Sequence, residues 1–297
     1  MKYLDSFLDH LKLNHRSKLT LKRYNYLLKK LKIYFNEKNI EDEKLITENH
    51  IIEYIKYLKE NNTKNWFLSR MIQCLKRYFS FLVDSKIIFI DPTFSIEYMK
   101  EDRKRIKPVA KDELLASLEN IKTDNDFGIR SKAIFELMYS TGIRPFELRN
   151  IKLNHIDFKK KELFIEKGKM NKDRVVPIGD TASYWLEKYI KEVRPKNLKD
   201  KSVNYLFITL IGKCKKLSDH GLSDAIKFTF KKYNIKRFKP YALRSSCATH
   251  LLLNGMDILH IQKLLGHESI LTTKGYLDIK TLNLKDILNT KHPRNKY

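Results

Sequence analysis

The chain has 297 residues, enough for two domains that each bury a core, and carries 60 Lys and Arg against 35 Asp and Glu, a net charge of +25. That excess points to an acidic partner, nucleic acid foremost, although the abundance of Lys, Ile and Asn also fits AT-rich coding sequence. No apolar run nears the roughly 18 residues of a membrane span. The N-terminus lacks the apolar stretch of a secretion signal. Cys74, Cys214 and Cys247 are too few and too scattered for a disulfide framework or a zinc site. A cytoplasmic protein is expected. Neither a Gly-Lys-Ser/Thr phosphate loop nor His-Glu-x-x-His occurs, which disfavours ATP-driven and zinc-dependent chemistry.

Residues 1 to about 100 read as nearly all helix. Leu4, Phe7, Leu8 and Leu11 form one apolar stripe. A second, opened by Thr20, runs through Leu21, Tyr24, Leu27, Leu28, Leu31 and Tyr34/Phe35. Ile51, Ile52, Ile55 and Leu58 form a third, with Thr47 as its cap. The fourth, Trp66 to Val83, would bury Met71, Leu75, Tyr78, Phe79 and Leu82. Between the stripes lie Arg16, Lys18, Lys22 and Arg23, then Lys64, Arg70, Lys76 and Arg77, a basic face suited to a duplex or simply to solvent. Asp91-Pro92 ends the bundle. Residues 100–108 hold five cations and read as a linker.

From Val109 the pattern becomes mixed α/β. Asp112 caps a helix through Leu118, and Ser131 to Ser140 is an apolar helix ended by Thr141-Gly142. Arg144 precedes Pro145, a favoured first helical residue, and Glu147 falls where its carboxylate can bond back to the helix start. An Arg beside a helix N-terminus suits an anion. Leu163–Ile165 and Arg174–Pro177 read as a hairpin whose tip carries Lys167, Lys169 and Lys172. Asp180 to Arg194 is expected as a helix, Tyr205 to Ile208 as a strand and Ser218/Asp219 to Tyr233 as a helix. His220, His250 and His260 read as packing or surface residues.

The most informative stretch is Lys239 to Tyr276. From Tyr241 a helix is expected, with Leu243, Cys247, Leu251 and Leu252 inward and Tyr241 and Arg244 on one face. A second helix, Ile258 to Leu265, closes on Gly266 as a left-handed cap, with His267 just beyond and Tyr276 on a short third helix. A guanidinium, an imidazole and a phenol in one place suit phosphoryl transfer without a metal.

This pattern resembles the C-terminal signature of the tyrosine recombinases, the phage-integrase and Xer-type family: His-x-Leu-Arg-His, a helix, Leu-Gly-His, and Tyr nine residues on. Arg244, Leu265-Gly266-His267 and Tyr276 match, and Tyr241 stands where the motif has His. Ser140-Thr-Gly-Ile-Arg-Pro-Phe-Glu-Leu148 resembles the family's first motif, whose Arg binds the scissile phosphate, and Lys167 before Gly168 matches its hairpin lysine, with Lys169 and Lys172 as rivals.

The resemblance implies a mainly α fold with a small β component (α+β). It implies a helical core-binding domain (1–99), a linker (100–108) and a catalytic domain with a C-terminal tail (109–297), closing around DNA as a clamp. It further implies site-specific strand exchange. Tyr276 would attack phosphorus to give a 3′-phosphotyrosyl link, Arg144, Arg244, Tyr241 and His267 would bind the phosphate, and Lys167 would protonate the leaving oxygen. Lys18, Lys64, Arg70 and Arg77 would contact DNA. No metal or nucleotide cofactor is implied. The partner would be double-stranded DNA at a recombination site, held by four protomers in a synapse, either for chromosome-dimer resolution or for integration of a mobile element. Two rivals share the fold: a type IB topoisomerase, and a non-catalytic DNA-binding relic suggested by Tyr241.

Overall fold

The computed structural model describes residues 1–99, 108–166, 173–198, 200, 202–212, 216–233 and 240–266. The chain divides into two units, Met1–Lys104 and Arg105–Tyr297, each with its own apolar core. Among the described residues it is mainly helical with one three-stranded sheet.

The N-terminal unit is built from α1 (Leu4–Leu13), α2 (Lys18–Glu37), α3 (Glu48–Glu60) and α4 (Asn65–Asp84), the four expected helices. Their cap chemistry differs in detail. Ser17, not Thr20, opens α2, because the Ser17 hydroxyl accepts the Thr20 N–H at 3.2 Å and lets the helix start three residues earlier. Thr47 is the cap residue of α3, but it is the ring Nδ1 of His50 that accepts the Thr47 N–H, at 3.2 Å. Phe7 lies edge-on to Tyr24 and Tyr78, with ring centroids 5.8 and 5.2 Å away, at the centre of the core. Tyr54 is as deeply buried, on the same face of α3 as Ile51 and Leu58. A buried carboxylate fastens the chain start to this core. Glu43 accepts the N–H groups of Lys2 and Tyr3 and the Tyr78 hydroxyl.

In the second unit α5 (Lys111–Glu119) starts from Ala110, so Asp112 lies in the first turn rather than at the cap. Helix α6 (Asp126–Thr141) is longer than its apolar run: the Asn125 side chain accepts the Gly128 N–H at 3.0 Å, five residues before Ser131 would begin it. It is buried nearly all round and packs on α5 and on the later helices Asp180–Lys188, Asp219–Lys232 and Pro240–Leu253. Gly142 ends it at φ +58°, where a Cβ would also stand 2.5 Å from Leu265 Cδ2. One turn, α7 (Pro145–Leu148), follows.

The sheet is antiparallel in the order β1 (Ile156–Asp157), β2 (Glu162–Ile165), β3 (Arg174–Pro177); the two-residue β1 carries too little pattern to be expected. Register pairs Leu163 with Val176 and Ile165 with Arg174, which turns Leu163, Ile165 and Val176 to the core. The helix expected over 180–194 is α8 (Asp180–Lys188), a π turn (Tyr189–Val193) and α9 (Arg194–Asn197). Tyr205–Ile208 is not a strand. Leu206, Phe207 and Ile208 are all buried without alternation, and their amides find irregular partners: Leu206 donates to Ile151 O at 2.8 Å and Ile208 to the Tyr189 hydroxyl at 3.2 Å. Ser218 caps α10 (Asp219–Lys232), α11 is Pro240–Leu253, and Asp257 caps α12 (Ile258–Leu265). Among the described residues no helix is long and apolar enough to cross a membrane.

Candidate active site

Two glycines in the left-handed region place the site. Gly142 terminates α6 at φ +58° and Gly266 terminates α12 at φ +62°, so both helices end abruptly with carbonyls that lack an intrahelical donor. Arg244, on the buried side of α11 and 3 % exposed, fills that need at both ends. Its Nη1 donates to the Gly142 carbonyl at 2.5 Å and its Nη2 to the Leu265 carbonyl at 2.7 Å. Arg144, reached two residues after Gly142, donates from Nη2 to the next carbonyl, that of Gly266, at 3.1 Å. The two guanidiniums therefore meet on consecutive peptide carbonyls at the end of α12.

Arg144 is held from its other side by Glu147. The Glu147 carboxylate accepts the Arg144 backbone N–H at 3.0 Å, as the spacing to Pro145 predicts, and also Arg144 Nη1 at 2.8 Å. It further accepts a two-pronged bond from Arg174, at 2.9 and 2.8 Å. Burial alone would raise this carboxyl. The hydrogen bonds and charge of Arg174, joined by the backbone N–H and charge of Arg144, outweigh that and hold it down to about 2. Arg174 also packs beneath Gly266: a Cβ there would lie 3.0–3.1 Å from its Cδ, Cζ and Nε.

Sequence reasoning missed Arg174. The signal was its register. As the partner of Ile165, two residues from buried Val176, it faces the core and must find a carboxylate there.

The two anion-binding arginines expected from the motifs are thus brought together. Tyr241 is less simply placed. It shares the first turns of α11 with Arg244, yet it is 48 % exposed and its hydroxyl has no partner among the described residues. The shared face is split between core and solvent. Lys167, Lys169, Lys172, His267 and Tyr276 lie outside the described residues, as do the linker 100–107 and the tail after 266. His250 is the packing residue expected: its ring meets the Tyr139 hydroxyl at 2.9 Å and the Val109 carbonyl at 3.1 Å, and burial, ahead of the opposing bond to Val109, lowers its pKa. Among the basic residues of the first unit, Lys18, Lys64 and Arg77 are exposed and Arg70 is half-buried. Lys76 is occupied, donating to the carbonyls of Thr93 and Phe94. No cluster of metal-ligating side chains occurs among the described residues.

Two family models match the chain. The phage integrase family covers residues 107–282, and the phage integrase N-terminal SAM-like domain covers residues 4–86. The tyrosine recombinase XerD of Oceanobacillus iheyensis is 36 % identical over 252 residues, 84 % of this chain and 83 % of that protein. XerD of Staphylococcus saprophyticus is 35 % identical over 276 residues, 93 % of this chain and 92 % of that protein. Two solved structures share the fold. The XerH site-specific recombinase bound to a palindromic difH substrate superposes with a TM-score of 0.73 at 20 % identity, covering 91 % of this chain and 79 % of that one. The Tn1549 transposon integrase bound to transposon right-end DNA superposes at 0.74 with 16 % identity, covering 98 % and 99 %. The matched models, the relatives in sequence and the meeting of Arg144 and Arg244 agree: the chain belongs to the phage integrase family, the tyrosine recombinases.

Proposed function

We propose that this chain cuts and rejoins double-stranded DNA at a specific recombination site, with Tyr276 as nucleophile and Arg144 and Arg244 as the ligands of the scissile phosphate. The observation that carries this assignment is the pair of guanidiniums on the consecutive carbonyls of Leu265 and Gly266, immediately before His267.

Attack by the Tyr276 oxygen, whose phenolic proton passes to water, forms a P–O bond to the enzyme and breaks the bond from phosphorus to the 5′-oxygen, which takes a proton from Lys167; the product is a 3′-phosphotyrosyl link and a 5′-hydroxyl. The same steps in reverse, with a 5′-hydroxyl from the partner duplex, reseal the strand. Arg144 and Arg244 offset the charge that builds on the non-bridging oxygens, and His267 and Tyr241 donate further hydrogen bonds. Because bond energy is kept in the covalent link, neither a nucleotide nor a metal is consumed. The N-terminal helices, with Lys18, Lys64, Arg70 and Arg77, contact the duplex, and residues 100–108 join them to the catalytic domain. The relatives named XerD and the DNA-bound recombinases of the same fold support this reading. A synapse of four protomers and a cytoplasmic location belong to the same proposal.

The test is covalent capture on nicked duplexes drawn from the host genome. The native chain is expected to form an adduct whose phosphate maps to Tyr276, and Tyr276→Phe to bind the same duplex without forming it. An adduct that persists in Tyr276→Phe, mapped to another residue, overturns the assignment.

A further inference from the structure

Glu147 poses an electrostatic problem that the motif residues do not solve. Its carboxylate is 1 % exposed and lies 2.8 Å from Nη1 of Arg144, whose side chain is itself only 15 % exposed. A carboxylate and a guanidinium so close and so dry form a nearly neutral pair. A neutralised Arg144 would be a poor ligand for a phosphodiester anion.

Arg174 changes the balance. It approaches from β3 and takes both Glu147 oxygens, Nη1 to Oε1 at 2.9 Å and Nη2 to Oε2 at 2.8 Å, while Arg144 holds the carboxylate through one guanidinium nitrogen and its backbone N–H. The fork–fork geometry is the stronger form of the interaction, so the negative charge is matched first by Arg174. Two guanidiniums facing one carboxylate leave the group one positive charge in excess, and the one that meets the carboxylate through a single guanidinium nitrogen is Arg144. Its Nη2 is turned to the Gly266 carbonyl, toward Arg244. Gly266, lacking a Cβ, is what allows Arg174 to lie this close beneath the end of α12.

We propose that Arg174 is a positioning residue that serves as the countercation of Glu147, so that Arg144 keeps its positive charge for the scissile phosphate. Arg174 acts through Glu147 and touches no reacting atom. Because it is also the first residue of β3, it fixes the base of the hairpin to the arginine pair. The inference rests on the assignment of Arg144 as a phosphate ligand.

The experiment measures two quantities on Arg174→Gln, Arg174→Lys and the double variant Arg174→Gln/Glu147→Gln, each checked for folding by its melting curve. The first is the affinity for inorganic phosphate, followed by phosphorus NMR titration with Arg144→Gln as the baseline. The second is the single-turnover rate of adduct formation. Arg174→Gln should weaken phosphate binding at the Arg144-dependent site by about tenfold or more, the loss of one charge-assisted contact. It should slow adduct formation by about 10²-fold, comparable to losing one charge-stabilising donor. Adding Glu147→Gln to Arg174→Gln removes the uncompensated carboxylate and should recover most of the phosphate affinity; a purely structural role for Arg174 gives no such recovery. Arg174→Lys, which keeps the charge and loses the fork, should hold phosphate affinity within about threefold even if it melts earlier.

Phosphate affinity unchanged in Arg174→Gln, or unrecovered in the folded double variant, overturns the inference. If Arg174→Gln fails to fold, a folded Arg174→Lys that has lost phosphate affinity does the same, and one that retains it supports the inference. A native chain that shows the phosphate pattern but forms no adduct would overturn the strand-exchange reading and leave this one standing.

Discussion

Arg244 is the residue whose replacement has the most calculable consequence, because it completes the ends of two helices. Alanine there strips the donor from the Gly142 and Leu265 carbonyls, both helix-end acceptors at a site where Arg244 is 3 % exposed. Each orphaned buried acceptor costs about 1–3 kcal/mol, so the two together cost roughly 4 kcal/mol. For a domain of about 200 residues, 1 kcal/mol lowers the melting temperature by about 2–4 °C, which places the Arg244→Ala loss near 8–16 °C. Lysine keeps the charge, but a single ammonium cannot span two carbonyls with a planar fork, so Arg244→Lys should lose about half as much. Differential scanning calorimetry of the full chain checks this, with the N-terminal unit as an internal reference whose transition should not move. An Arg244→Ala chain whose catalytic unit melts within about 1 °C of the parent would refute the reasoning. The practical corollary is that lost cleavage in Arg244 variants must be measured below their own melting range.

Three further outcomes follow from neighbouring features. Glu147, held down to about 2 from the ordinary 4.5, contributes stability that is fully present above about pH 4.5 and lost as pH falls through about 2. The stake is about 3 kcal/mol, so an acid titration should show Glu147→Gln less pH-sensitive than the parent across that window. Gly142→Ala puts a β-carbon 2.5 Å from buried Leu265 at φ +58° and should cost about 2–4 kcal/mol, read as a shifted urea midpoint; a cost below about 1 kcal/mol would mean the turn relaxes freely. Tyr241→Phe should slow adduct formation by about 10²–10³ with no change in melting temperature if the hydroxyl serves the phosphate as proposed, since it is exposed and holds no part of the fold. Tyr241→His should keep or raise activity, whereas cleavage by Tyr241→Phe at the parent rate would show that the hydroxyl is idle.

What could be read from the sequence depended on whether a feature was encoded within one turn of chain or between distant segments. Helices α1 to α4 were legible because their apolar residues recur every three or four positions, and the Gly266 cap because a helix pattern stops on a glycine. The Arg144–Glu147 contact was legible for the same reason, three residues apart beside a proline. Arg174 was not, since its carboxylate lies 27 residues away and only the hairpin register turns it inward. The segment Tyr205–Ile208 misled because a short β-branched and aromatic run looks the same whether its amides enter a ladder or, as here, bond to a tyrosine hydroxyl and a loop carbonyl. Tyr241 and Arg244 show the limit of helical spacing as a guide. Positions three apart point the same way, but Tyr241 lies at the solvent edge of that face while Arg244, one turn on, lies inside the core.

The point where the chain enters the second unit is fastened to the helix that carries Arg244. The Val109 N–H donates to the Ser246 hydroxyl at 2.8 Å, and the Val109 carbonyl meets Nε2 of His250 at 3.1 Å. Ser246 and His250 are one turn apart on α11, and Arg244 is two residues before the first of them. In mechanical terms Val109 is a fixed pin, and α11 is the beam into which it is set. A pull on the chain ahead of Val109 reaches α11 through these two bonds, two residues from the arginine that ties α6 to α12. Strain along that route would bear on the carbonyl shell of Arg244. Single-molecule force measurements on chains with Ser246→Ala should find that the attachment of Val109 to α11 yields at lower load than in the parent chain.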